Sequence, residues 1–214
     1  MIDIDTDSEP DSGSGTDSEG ATVVVVDDNE SIADTYTAFL EREYDVATVY
    51  DGQSAIDRLA SDIDVVLLDR RMPGISGDKV LEAIDERELD CRVVMLTAVD
   101  PEFDIVDMPF DEYVVKPVNR QQLTDVVDEM VGRAQYDDDF RQFLALLSKK
   151  ATLEAGKDSA KLTGQPKYRR IVDRIDELRD ELGVDTEDIE RIFTGDVPDI
   201  DAAGAPDSDA REAE

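Results

Sequence analysis

"VVVVDDNE", Val23 to Glu30, places two adjacent carboxylates, Asp27 and Asp28, at the end of a four-valine run. A short run of β-branched residues reads as a strand buried on both faces, as in a parallel sheet. The two acids have no basic neighbour in sequence, so their charge must be balanced from elsewhere in the fold.

Four further runs have the same character: "YDVATV" at 44 to 49, "DVVLLD" at 64 to 69, "RVVML" at 92 to 96 and "EYVVK" at 112 to 116. Amphipathic segments lie between them at Ser31 to Arg42, Gly52 to Ala60 and Gly77 to Glu88, and another follows at Arg120 to Val131, opened by Asn119 as N-cap. Five β-then-α units in about 110 residues predict an α/β fold, a doubly wound five-stranded parallel sheet. Pro101 and Pro109 leave room for only a short or distorted helix between the last two strands.

In such a sheet functional groups gather outside the carboxyl ends of the strands. Asp27 and Asp28 follow the first strand, Asp69 ends the third, Thr97 the fourth and Lys116 the fifth. Three carboxylates on one edge cannot all stay ionised without a cation, and hard oxygen donors suit Mg²⁺. A carboxylate such as Asp69 can then attack a phosphoryl donor held in line, with Lys116 and Thr97 placed to neutralise and bond the phosphoryl oxygens.

With those five residues in that order, residues 21 to 133 resemble a response-regulator receiver domain of two-component signalling, which implies a flavodoxin-like sheet of order 2-1-3-4-5. "MPG", Met72 to Gly74, and Gly77 fit the loop after the acceptor, and Pro117 follows Lys116 as the family has it. The resemblance implies a histidine kinase as partner, Asp69 as phosphoacceptor, and Mg²⁺ held by Asp27, Asp28, Asp69 and the backbone carbonyl of Arg71. It implies Thr97 and Tyr113 as the switch pair, and a phosphoacceptor that is not a dedicated enzyme. Arg71 and Val99, two residues past Asp69 and Thr97, flank the approach of a hydrolytic water and read as setting the lifetime of the aspartyl phosphate. A phosphatase of related chemistry would want a second acid where Arg71 stands.

Composition sets the outer limits. Asp+Glu number 55 against 22 Lys+Arg, a net charge of −33, which excludes a globally basic nucleic-acid binder. Arg exceeds Lys and the acids are spread along the chain, a balance similar to that of extreme halophiles. The lack of histidine removes Ser-His-Asp and Cys-His catalysis and His-ligated zinc. One cysteine, Cys91, excludes an internal disulfide framework. With neither a membrane-length apolar run nor a signal peptide, a soluble cytoplasmic protein is expected.

Residues 1 to 20 and 196 to 214 are rich in acids and small residues, and read as disordered tails. Residues 134 to 195 read as a helical hairpin with a seam of Phe140, Phe143, Leu144, Leu147 and Ala151 against Ile171, Ile175, Leu178 and Leu182, broken at "TGQP". "FLALLSKKATLEAGK" with "YRRIVDRIDELRDEL" resembles the HalX domain, a helical module found behind haloarchaeal receivers. Eight bases (Lys149, Lys150, Lys157, Lys161, Lys167, Arg169, Arg170, Arg174) stand against three acids between 149 and 174, a patch for a protein partner, self-association or, less favoured, nucleic acid. "RDELGVDTEDIERIF", Arg179 to Phe193, has the turn of a helix-turn-helix, but its second helix is too acidic to approach phosphate.

Overall fold

A computed structural model of the chain describes residues 20–133 and 136–184. The two acidic tails, apart from Gly20, and the second half of the helix-turn-helix-like stretch lie outside the described residues, as does the 133/134 boundary read between the two units.

Five parallel strands form one sheet: β1 (Thr22–Val26), β2 (Asp45–Val49), β3 (Val65–Leu68), β4 (Arg92–Thr97) and β5 (Glu112–Val115), in the order β2-β1-β3-β4-β5. The predicted doubly wound α/β sheet is therefore what the chain forms. Side chains alternate between the two faces, as the strand period requires. Val23, Val25, Val65, Leu67, Val94 and Leu96 pack beneath α1 (Glu30–Leu40) and α4 (Arg120–Gly132). Val24, Val26, Val66, Leu68, Val93 and Met95 face α2 (Gly52–Arg58) and α3 (Gly77–Glu86). The middle of each of these strands is apolar because both of its faces are covered.

Local chemistry sets the helix starts. Asn29 and Asp51 accept from backbone amides of the first turns of α1 and α2, and Asn119 with Gln122 forms a reciprocal capping box on α4. Between β4 and β5, where the prolines shorten the expected helix, a single 3₁₀ turn spans Phe103–Asp107.

The C-terminal part is a hairpin of α5 (Asp138–Gly156) and α7 (Pro166–Leu182), with a short α6 (Ser159–Thr163) between them. Phe140, Phe143, Leu144 and Leu147 are buried in one apolar cluster with Ile171, Ile175 and Leu178 as expected, but Ala151 is exposed, and Leu153, about 200° round the helix from it, is buried. Leu182 is half-buried at the end of α7, where Gly183 adopts φ +69 and ends the helix. The hairpin does not stand apart, for α5 packs on β5 and the 3₁₀ turn, and α7 on the 3₁₀ turn. Its apolar side chains are continuous with the cluster under α2 and α3. Among the described residues no helix is long and apolar enough to cross a membrane.

Candidate functional site

The sheet places its polar groups by carrying the ladder one residue beyond the strands. Asp27 N–H donates to Val49 O at 3.1 Å, Asp69 N–H to Val26 O at 2.9 Å and Lys116 N–H to Thr97 O at 2.9 Å. The carboxyl ends of β1, β3, β4 and β5 thus bring Asp27, Asp28, Asp69, Thr97 and Lys116 to one edge. Carboxylate oxygens of the three acids lie within 4.8 Å of one another.

Asp27 is buried and Asp28 exposed. The Lys116 ammonium sits 2.5 Å from Asp27 Oδ2 and 3.5 Å from Asp69 Oδ1, while Asp27 Oδ1 accepts from the Asn29 amide at 2.9 Å. Lys116 is thus the cation that the acidic pair lacks in sequence, brought to it across 89 residues. The ammonium pairs with two of the three acids, so the cluster keeps an excess of negative charge that suits a divalent cation, and its donors are all hard oxygens.

The loop after Asp69 is shaped by glycine. Gly74 has φ +76, and a Cβ on Gly77 would stand 2.2 Å from the carbonyl oxygen of Asp69 and 2.9 Å from Arg70 Cα. Gly77 N–H donates to Arg70 O at 3.0 Å, closing the loop onto α3. Arg71 is exposed in this loop and Met72 buried.

Thr97 is fully buried, and its hydroxyl accepts from Val99 N at 3.3 Å. Val99 is half-buried, and its carbonyl accepts from the Tyr113 hydroxyl at 2.7 Å. Tyr113 therefore lies inward, with its ring 5.7 Å from that of Phe110. Two neighbours of the site were not singled out by the sequence. Tyr36 on α1 is close enough to feel Lys116, Asp27 and Asp69, and burial pushes its phenol up. Arg70 pairs with Asp78 at 3.0 Å and with Asp104. Asp78 stands in the first turn of α3, where an acid is an ordinary helix-start residue, and Asp104 is 34 residues from Arg70, so the sequence gives no signal for either pairing.

The eight cations of the hairpin do not form one open surface. Lys149 is buried, donating to Met108 O at 2.7 Å with its ammonium 4.7 Å over the Phe110 ring. Lys157 reaches Glu102 at 2.9 Å; Lys167 and Arg170 reach Asp107 at 2.6 and 2.9 Å. Lys150 pairs with Glu154, Lys161 with Asp158 and Arg174 with Glu177, all within the hairpin. Arg169 is exposed. Half of the patch is therefore turned onto the sheet domain of the same chain.

Comparison with known proteins agrees with this architecture. Residues 23–128 match the family model of the response regulator receiver domain, and residues 132–193 that of the HalX domain. The chain thus carries a response regulator receiver domain followed by a HalX domain. A Haloferax volcanii protein provisionally named a transcriptional regulator is 50% identical over 134 residues, which is 62% of this chain and 23% of that protein. The chain therefore spans under a quarter of that relative's length. Among solved structures, the signal receiver domain of a protein provisionally assigned as a Luxo repressor from Vibrio parahaemolyticus is 27% identical, with TM-score 0.50, over 54% of this chain and 92% of that one. The Thermotoga maritima response regulator TrrA, solved in complex with Mg²⁺-BeF, is 33% identical, with TM-score 0.46, over 51% and 98%.

Proposed function

We propose that the chain is the response regulator of a two-component phosphorelay, with Asp69 accepting a phosphoryl group from the phosphohistidine of a partner histidine kinase. The observation that carries this reading is the gathering of Asp27, Asp28, Asp69, Thr97 and Lys116 at one sheet edge, their carboxylate oxygens within 4.8 Å of one another and an ammonium between two of them.

An Asp69 carboxylate oxygen forms the new P–O bond as the donor's P–N bond breaks, and the electron pair leaves with the imidazole nitrogen, which gains a proton. Lys116 is already 3.5 Å from Asp69 and turns its ammonium to an equatorial phosphoryl oxygen. Thr97, whose hydroxyl proton is free while its oxygen accepts from Val99 N, donates to another. Asp27, Asp28, Asp69 and the Arg71 carbonyl are the groups that would hold Mg²⁺, which when bound neutralises and orients the phosphoryl oxygens. Tyr113 and Thr97 form the switch pair, and the chain serves as a phosphoacceptor rather than a dedicated enzyme.

The test is to incubate the full chain with acetyl phosphate and MgCl₂ and read its intact mass. Wild type should gain one phosphoryl group and Asp69→Asn none; a wild type that stays unmodified, or a variant that gains the same mass, overturns the assignment.

A second reading, that phosphorylation controls DNA binding, draws on the name of the Haloferax relative. Against it, Lys149, Lys157, Lys167 and Arg170 are engaged within the chain. Crosslinking and sequencing of bound DNA would favour it only if discrete sites appear with wild type and vanish with Asp69→Ala.

A further inference from the structure

Arg70 stands in sequence between two groups of the metal seat, the Asp69 carboxylate and the Arg71 carbonyl. The first turn of α3 holds it at two points. Gly77 N–H donates to Arg70 O at 3.0 Å, and the Asp78 carboxylate takes its guanidinium in a fork, Nε on Oδ1 at 3.0 Å and an Nη on Oδ2 at 3.3 Å. The partners of that fork are 8 residues apart, so the pair closes the acceptor loop on itself. The guanidinium also meets Asp104 and the Tyr113 phenol, and the side chain is only 10% exposed. Two parallel bonds fix direction as well as distance, and a pair this withdrawn from water is screened less than a surface one. Ahead of the loop, Asp69 N–H is pinned to Val26 O. Between these anchors residues 71–75 make no hydrogen bond among the described residues. The place of the Arg71 carbonyl therefore depends on the grip on Arg70 and on the buried Met72.

We propose that Arg70 is a positioning residue for the divalent cation: gripped by Asp78, it holds the Asp69 carboxylate and the Arg71 carbonyl in fixed relation to each other. This rests on the metal seat of the phosphoacceptor reading above. Arg70 acts through the backbone and not through its charge, and the two roles have opposite signs. A guanidinium one residue from the seat repels a dication, so by charge alone its removal would tighten Mg²⁺. As a positioning group, its removal loosens the loop and weakens Mg²⁺. Its two acid partners differ in the same way. By charge alone, neutralising either Asp78 or Asp104 would weaken the dication. By position only Asp78 matters, because its pair closes the loop, whereas Asp104 belongs to the turn after β4 and leaves the loop closed when it is lost.

The test is to titrate the full chain with MgCl₂ and follow the amides of Asp28, Asp69 and Arg71 by ¹H–¹⁵N NMR, in concentrated KCl that screens the rest of the −33 charge. Arg70→Met and Asp78→Asn should need roughly 10-fold more Mg²⁺ for half-saturation, the low end of the loss when a group orienting a metal ligand is removed, and Asp104→Asn should titrate like wild type. With acetyl phosphate as donor and intact mass as readout, Arg70→Met should take up its phosphoryl group slowly where Mg²⁺ half-saturates wild type. It should regain the wild-type rate once Mg²⁺ saturates, a recovery that a misfolded chain would not show. If Arg70→Met does not unfold cooperatively in urea, Asp78→Asn decides the matter. Unchanged or tighter Mg²⁺ in Arg70→Met overturns the proposal, as does equal weakening by Asp78→Asn and Asp104→Asn. A wild type whose amides do not respond to Mg²⁺ overturns the seat and the proposal together. A wild type that binds Mg²⁺ but gains no phosphoryl group fails the acceptor reading alone, and the Mg²⁺ titration still decides the role of Arg70.

Discussion

Gly77 sits where no side chain fits. Its missing Cβ would meet the Asp69 carbonyl oxygen at 2.2 Å and Arg70 Cα at 2.9 Å, and both are backbone atoms that cannot rotate away. Gly77→Ala should therefore displace the acceptor loop and lower stability by about 1 to 3 kcal/mol, the range for forced overpacking; a urea midpoint equal to wild type would refute this. Lys149 makes a second prediction at this scale. Burial pushes its ammonium down to about 8, against the opposing pull of the Asp111 and Asp107 carboxylates. Because the unfolded chain holds the proton up to about 10.4, it binds more protons than the folded chain between pH 8 and that value, and stability rises with pH across the window. Below pH 8 both states are charged and the burial penalty is constant. Comparing Lys149→Met with wild type isolates the effect: wild type should gain on the order of 3 kcal/mol relative to the variant from pH 8 to 10.5, read by urea unfolding at each pH. A flat difference would mean that the ammonium is not desolvated.

At the scale of elements, what was legible followed from local pattern. Short β-branched runs such as Val23–Val26 gave the strands, and strand ends gave the site, because a parallel sheet leaves its polar groups at the carboxyl edge. Pro101 and Pro109 foretold the shortened helix, since a proline both lacks an amide and fixes φ. What was not legible depended on distance along the chain. The ion pair of Lys116 with Asp27 spans 89 residues and that of Arg170 with Asp107 spans 63, and neither leaves a local periodicity to read. The end of the hairpin seam was misread because the stripe through Phe140, Leu144 and Leu147 continues to Ala151, which is exposed, while Leu153 on another side of α5 is buried because that helix packs on β5 and the 3₁₀ turn as well as on α7. The basic patch was visible as charge, but its partners were visible only once the turn at Phe103–Asp107 lay beneath it.

Across the whole molecule a net charge of −33 opposes compaction. Many of its ion pairs are solvent-exposed, each contributing roughly 0 to 1 kcal/mol, so screening costs less in lost attraction than it relieves in repulsion. Melting temperature should rise by on the order of 10 °C between 0.1 and 2 M KCl, where the screening length falls from about 10 Å to under 3 Å; a flat or falling melting curve by circular dichroism would contradict that balance. The apolar cluster shared between the sheet domain and the hairpin also has a consequence during synthesis. The sheet is complete by Arg133, yet Ile105 and Phe110 on its far face are covered by helices that end roughly 50 residues later. At ~5–20 residues per second, a growing chain carries that apolar face open to solvent for several seconds, a window in which a chaperone or a neighbouring nascent chain competes with the protein's own last helices.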